Sequence, residues 1–184
     1  GFYHYPGNDL EVMPGDTFAL QIVHHAKLTT GITTVPYPPD SVTISQTEMV
    51  IDTSWPPRFG HNDSTRIIEI SWKRDEAALY YVVVKCLEEN PSTIDLFSGF
   101  NRIGRLFIFP PTNDNSFRLQ LFSIQYYGVH QAKIYRVNQE YADLYLSRHQ
   151  DSRDLNEPLT NIKNGLGIFS AFASTNVEFK ILPQ

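Results

Sequence analysis

Apolar and polar positions alternate along most of this chain. Phe18, Leu20 and Ile22 alternate with Ala19, Gln21 and Val23 after the turn sequence "MPGD", which predicts a strand entered from a tight turn. A second extended run, Thr29 to Val35, ends at Pro36, Pro38 and Pro39, which lack backbone donors and mark a boundary. Further strands are predicted at Ser41 to Ser45, at "TRIIEISW" with Ile68, Ile70 and Trp72 on one face, at Leu106 to Phe109, at Phe117 to Phe122 and at Gly128 to Val137. "ALYYVVV" is apolar on both faces, as expected of a central strand covered on each side or carrying an aromatic outer face. The closing run "NVEFKIL" turns Val177, Phe179 and Ile181 inward.

One segment changes period. In "VNQEYADLYLSRHQ", Tyr141, Leu144 and Tyr145 recur at helical spacing, Asn138 can cap the first turn, and Arg148 and His149 suit the negative end of the helix dipole. The spacing predicts a short helix over 139–149. Composition agrees with a strand-rich fold: 41% of the 184 residues are hydrophobic and 19% charged, and the 12 Phe and 10 Tyr far outnumber the 2 Met.

Charge removes some function classes. The net charge of -5 comes from dispersed acids, and no cluster of Lys and Arg could follow a phosphate backbone, so nucleic acid is not an expected partner. The longest apolar runs fall well short of the ~20 residues of a membrane helix. Cys86 is the one cysteine and reads as a small buried hydrophobe on a strand.

Candidate chemistry is sparse. "NGLGIF" places Gly165 and Gly167 at the first spacing of a dinucleotide loop, but only 14 residues follow Ser170, too few for the rest of a βαβ unit of about 30 residues. A glycine-permitted hook is expected instead, docking after the helix, folding Ile168, Phe169 and Phe172 onto a core and feeding the last strand. His24 and His25, with His4, invite a metal reading, but neighbours on a strand point to opposite faces. Asp151, Asp154, Asn156 and Glu157 offer oxygen ligands for calcium without the spacing of an EF-hand loop, and a solvated turn is the expectation. No metal and no cofactor is therefore assigned. The acid pairs Asp75 with Glu76 and Glu88 with Glu89 are read as solvated ends, since glycoside hydrolysis needs carboxylates facing each other. No nucleophile elbow or Cys and His signature is present, so no catalytic residue is assigned. Asn62 lies in a formal glycosylation sequon. Trp55, Tyr126 and Tyr127 are candidate contacts for a glycan or a protein partner if their rings are exposed.

Two resemblances give these elements a frame. "VMPGDTFALQIV" and "RIIEISWKRDEAALYYVVV" resemble strands of fibronectin type III and immunoglobulin-like domains, with Phe18 standing where that pattern has a corner tyrosine. The stretch from Ala132 to Thr175 is similar to the C-terminal part of a family of Bacteroidetes envelope lipoproteins that is a domain of unknown function. Its recognisable block stands here as Asn161, Ile162, Asn164, Gly165, Gly167, Ile168 and Phe169, and "TTVP" at Thr33 to Pro36 resembles the close of that family's N-terminal β-domain. The resemblance implies secretion, a lipid anchor on a cysteine upstream of Gly1, residence at the outer membrane or cell surface, and genes often found beside TonB-dependent receptors. It supplies no catalytic residue.

The expectation is therefore an all-β protein, a fibronectin-like or immunoglobulin-like β-sandwich over 40–184 with one inserted helix. Residues 1–39 are expected to be strands of, or remnants from, an N-terminal β-domain. The expected function is that of a non-enzymatic envelope accessory binding a protein partner such as a receptor. A carbohydrate-binding module is the alternative, and a hydrolase built from dispersed acids comes third.

Overall fold

The structure, a computed structural model, describes residues 4–51, 67–75, 78–94, 104–120, 123–147 and 159–184. It is mostly β with one short helix. Strands run β1 Thr17–His24, β2 Lys27–Thr34, β3 Thr43–Ile44, β4 Glu48–Ile51, β5 Ile67–Ser71, β6 Leu79–Cys86, β7 Leu106–Ile108, β8 Ser116–Gln120, β9 Gly128–Val137, β10 Ile162–Lys163 and β11 Phe172–Pro183, with helix α1 at Gln139–Ser147. The chain forms two compact units, one of residues 1–37 with 138–173 and the other of residues 38–137 with 174–184. The chain passes from the first unit to the second between Tyr37 and Pro38. Segment 138–173, which the sequence reading assigned to the sandwich, joins the first unit.

The second unit is a β-sandwich. One sheet has the order β3-β5-β8 and the other β4-β11-β9-β6-β7. Lettered in chain order this is A-B-E against A′-G-F-C-C′, the arrangement of immunoglobulin-like sandwiches. Strand β6 is central, as its two-faced apolar run predicts. It pairs antiparallel with β9 from Leu79↔Val137 to Cys86↔His130, and with β7 on its other side. Strands β3 and β4 are separated by three residues yet belong to opposite sheets, β3 antiparallel to β5 and β4 parallel to β11. Gln46 holds this crossing by donating from Nε2 to the Ile67 carbonyl at 3.1 Å. The four-residue strand β4, too short to show a period, is absent from the sequence reading.

Period-two patterning builds the core from both inner faces. Ile68 and Ile70 of β5 and Leu119 of β8 meet Tyr80, Val82 and Val84 of β6, Ala132 and Ile134 of β9, Phe179 and Ile181 of β11, and Met49 and Ile51 of β4. Each such side chain taken fully out of water contributes about 1.5–3 kcal/mol. Trp72, just past β5, packs its ring 5.1 Å from that of Tyr80. On the outer face of β6 the rings of Tyr81 and Tyr135 lie 6.5 Å apart, with Lys133 Nζ 5.2 Å above Tyr135, which is the aromatic outer face the sequence allows.

Between β9 and β11 the chain leaves the sandwich for 138–173, an insertion at the F–G position. The helix ends at Ser147, and Arg148 and His149 lie outside the described residues. The Asn138 carbonyl accepts from the amides of Tyr141 and Ala142, as a capping residue's does, while its side chain is engaged elsewhere. In the first unit β1, β2 and β10 form a three-stranded sheet in the order β1-β2-β10. The "MPGD" turn and Phe18 therefore belong to this sheet and not to a sandwich corner, which corrects the expectation drawn from the fibronectin pattern.

Ile134 is fully buried between strands that both pair with β9, whereas Val50 points outward between Met49 and Ile51. Ile134→Ala is expected to cost about 2–5 kcal/mol of unfolding free energy in urea titration, and Val50→Ala to stay within about 0.5 kcal/mol.

Candidate functional site

The first unit differs from the sandwich in how it treats apolar side chains. Among the described residues, Val35 and Ala142 are its fully buried hydrophobics, and the sandwich holds the others. Val12, Met13, Val23, Leu28, Ile32 and Leu166 of the first unit are all exposed, Val23 at 73%, Ile32 at 62% and Leu166 at 80%. Exposed apolar surface concentrated in one region marks an interaction site more often than chance exposure.

The local chemistry of the hairpin explains its shape. Asp16 N donates to the Met13 carbonyl at 3.1 Å across a turn with Pro14 and Gly15 at its centre, and Gly15 has φ +92°, a value that an L side chain rarely adopts. At the other end β1 and β2 are closed by His25 and Ala26, both at positive φ, 46° and 61°, the signature of a type I′ turn made without glycine or asparagine. Because the turn bends the chain at His25, the rings of His24 and His25 lie 4.1 Å apart. Alternation along a strand, which predicted opposite faces for the pair, does not hold there. Among the described residues no group of three or more His, Cys, Asp or Glu could hold a metal ion.

The "TNIKNGLGIF" segment docks on β2. Strand β10 has only two residues, pairing Ile162 with Gly31 and Lys163 with Thr30. Its flanking asparagines lengthen the attachment through their side chains: Asn164 Nδ2 donates to the Leu28 carbonyl at 3.0 Å and Asn161 Nδ2 to that of Ile32 at 3.4 Å. Asn138 Nδ2 donates to the Thr34 carbonyl at 2.8 Å and to Thr33 Oγ1 at 3.0 Å. Asn161 also closes the loop on itself, accepting from Phe169 N at 2.8 Å and donating to Phe169 O at 2.7 Å, while Thr160 Oγ1 donates to Gly167 O at 2.7 Å. Asn164 sits at φ +57° and Gly167 at +132°, and a Cβ on Gly165 would lie 2.9 Å from Thr29 Cγ2. Ile168 and Phe169 are half-buried. The asparagines bond backbone groups of the chain itself.

Of the three aromatic candidates, Tyr126 and Tyr127 lie in the described residues. Tyr126 and Tyr127 are both half-buried, Tyr127 packs against the sandwich core, and its amide donates to Ser92 O at 2.9 Å. Trp55, Asn62, Asp151, Asp154, Asn156 and Glu157 lie outside the described residues, as does Glu76.

Two acids read as solvated ends have structural partners instead. Asp75 pairs with Arg136, and Glu88 Oε1 accepts from Val129 N at 2.9 Å. They flank opposite ends of β6, whose eight residues separate them by roughly 25 Å. Carboxylates acting on one glycosidic bond stand roughly 5 to 9.5 Å apart. Cys86 is buried as expected, directly across from His130 in the β6–β9 ladder. His130 Nδ1 donates to Gly128 O at 3.1 Å and its ring stacks 5.3 Å from Phe179. Burial pushes the His130 pKa below the usual histidine value; the Gly128 carbonyl and the Glu88 charge oppose that shift.

Comparison with family models, with curated proteins and with solved structures finds no match for this chain. The strand order and the residues above are therefore the basis for a functional reading.

Gly165→Val forces the loop off Thr29, and Gly167→Val places a β-branched residue at a glycine angle, so each is expected to cost about 1–3 kcal/mol. Unchanged melting of both variants would show that the loop is not held by these glycines. The unfolded chain takes up a proton at His130 near the ordinary histidine value of 6.5, and the folded chain only at lower pH. Stability should thus fall as pH drops below about 6.5. His130→Phe should flatten that slope in melts between neutral and mildly acid pH.

Proposed function

We propose that this chain is a non-enzymatic binding module of the bacterial cell envelope whose first unit takes a protein partner, such as an outer-membrane receptor. One observation carries the reading: the first unit leaves Val12, Met13, Val23, Leu28, Ile32 and Leu166 in solvent and, among the described residues, fully buries only the hydrophobics Val35 and Ala142, whereas the sandwich, although Val50, Leu106 and Ile108 are exposed, encloses a continuous buried core. A unit so poor in fully buried side chains gains most from a second surface that covers it. The segment that completes its sheet is the block with the lipoprotein resemblance, which supports an envelope setting and an anchor upstream of Gly1. Side chains that could suggest chemistry have structural duties: Asn161 and Asn164 bond β2, Asp75 bonds Arg136, and Glu88 bonds the β9 backbone. In this reading the sandwich is the scaffold and the F–G insertion contributes to the recognition surface.

The test is a pull-down from detergent-solubilised source membranes with the lipid-anchored protein, followed by reconstitution with the purified candidate. Recovery of one receptor that Val23→Asp and Ile32→Asp lose, with melting unchanged, is the expected result. Equal recovery by both variants would place the contact elsewhere, and failure of any receptor to bind on reconstitution would overturn the accessory role.

A further inference from the structure

In an antiparallel ladder, alternate residues of each strand turn their N–H and C=O groups toward the partner and the rest turn them away. The phase is fixed here from three directions. Val35 N donates to Asp16 O at 2.8 Å, the register runs from Thr17↔Thr34 to His24↔Lys27, and the two-residue turn closes on that last pair. Residues 18, 20, 22 and 24 therefore bond β2, while Thr17, Ala19, Gln21 and Val23 present their backbone groups to the other edge. On β2 the outward residues are Leu28, Thr30, Ile32 and Thr34. Those of Leu28, Ile32 and Thr34 are the carbonyls that Asn164, Asn161 and Asn138 reach, and Thr30 pairs with Lys163.

The two edges are thus treated unequally. The outer side of β2 is sealed by three asparagines and β10. Among the described residues no strand pairs with the outer side of β1, and Thr17, Ala19, Gln21 and Val23 are all exposed. Natural sheets guard such an edge with Lys, Pro, a bulge or a covering element. "TFALQIVH" has none of the first two and pairs with β2 without interruption over all eight residues.

We propose that β1 is a self-association edge, taking β1 of a second copy of this chain antiparallel about a two-fold axis at Gln21. The strand itself selects that occupant. It carries no formal charge, so two copies meet there without the repulsion that a net charge of -5 imposes on less neutral surfaces. With the axis at Gln21 and normal to the sheet, Ala19 faces Val23 of the second copy and Leu20 faces Ile22, apolar against apolar on both sides of the sheet. Gln21 meets its own counterpart, where two side-chain amides can exchange hydrogen bonds. Val23 and Ile22, 73% and 49% exposed, lose that exposure together, and the apolar row of Leu28 and Ile32 on the same face as Val23 continues across the junction. Two edge strands bury less than the 1,200–2,000 Å² of a standard interface, so the dimer is reversible and its population depends on concentration. The inference does not rest on the envelope reading, although both draw on Val23, and the Gln21 variants below act on the β1 edge alone.

Sedimentation of the full 184-residue chain over two decades of concentration tests it. The mass should rise from one copy toward two. Gln21→Lys places like charges at the axis, and Gln21→Pro removes an outward N–H without touching a β1–β2 bond, so each should weaken association by at least about tenfold. Circular dichroism melts of the two variants at low concentration should match the parent. A chain that stays monomeric throughout, growth past two copies, or variants that associate like the parent would each overturn the proposal. If one variant fails to fold, the other decides.

Discussion

The carbonyl groups along the outer side of β2 set the constraint on which the first unit depends. A sheet edge leaves acceptors that need donors, and here the donors come from far along the chain, at Asn138, Asn161 and Asn164. Each of these bonds closes a loop of more than a hundred residues. The cost of that closure grows only slowly with length, so a few well-made hydrogen bonds suffice once the sandwich has brought the ends of 138–173 together. Strand β9 delivers Asn138 and β11 receives the chain at Ser174.

This dependence explains an uneven distribution of stability. The sandwich holds a continuous core from both sheets, with Ile68, Ile70, Ala132, Ile134 and Ile181 removed from water. Among the described residues the first unit relies mainly on backbone and amide hydrogen bonds and a few ring contacts, such as the edge-to-face pair of half-buried Tyr141 with Phe172, which stays 42% exposed although the sequence places it on a core. Hydrogen bonds exchanged for those with water each contribute modestly, and apolar burial supplies most of the driving force in a domain. Local opening costs least where fully buried apolar side chains are fewest, which among the described residues is the β1–β2 hairpin. A surface used for recognition is often drawn from such a region, because covering it recovers burial that the isolated unit lacks.

Much of the sandwich was legible in the sequence because its signal is local. Period-two alternation marks β5 and β11, a two-faced apolar run marks β6, and the inward sets Ile68, Ile70, Trp72 and Val177, Phe179, Ile181 face as their spacing predicts. The helix was legible for the same reason, and so was the all-β class. Strand β4 was not, because four residues show no period and its place comes from pairing in parallel with β11. The grouping of 138–173 with the first 37 residues escaped as well. It depends on contacts separated by more than a hundred positions, and no window of sequence contains both sides. The histidine pair failed for a smaller cause: the strand ends at His24, and a two-residue turn without glycine gives little warning of itself.

The block with the strongest resemblance shows how one motif can suggest two chemistries. Glycines beside an asparagine suit a phosphate loop because they let backbone N–H groups approach an anion. In this chain the same residue types serve the opposite polarity, since the asparagine amides donate to carbonyls, Gly165 lets the chain pass Thr29 of β2 without a side chain striking it, and Gly167 takes a positive φ. Spacing alone does not separate the two, because both need small residues at a turn. Strand context does. A phosphate loop joins a strand to a helix, whereas "NIKNG" flanks a two-residue ladder with Asn161 and Asn164 three apart, so that each amide reaches an outward carbonyl beyond the paired residues. Asparagines that bracket a two-residue apolar-basic step can extend a ladder whose own backbone pairing is too short to hold, so that among the described residues the outer side of β2 is the edge whose carbonyls are met.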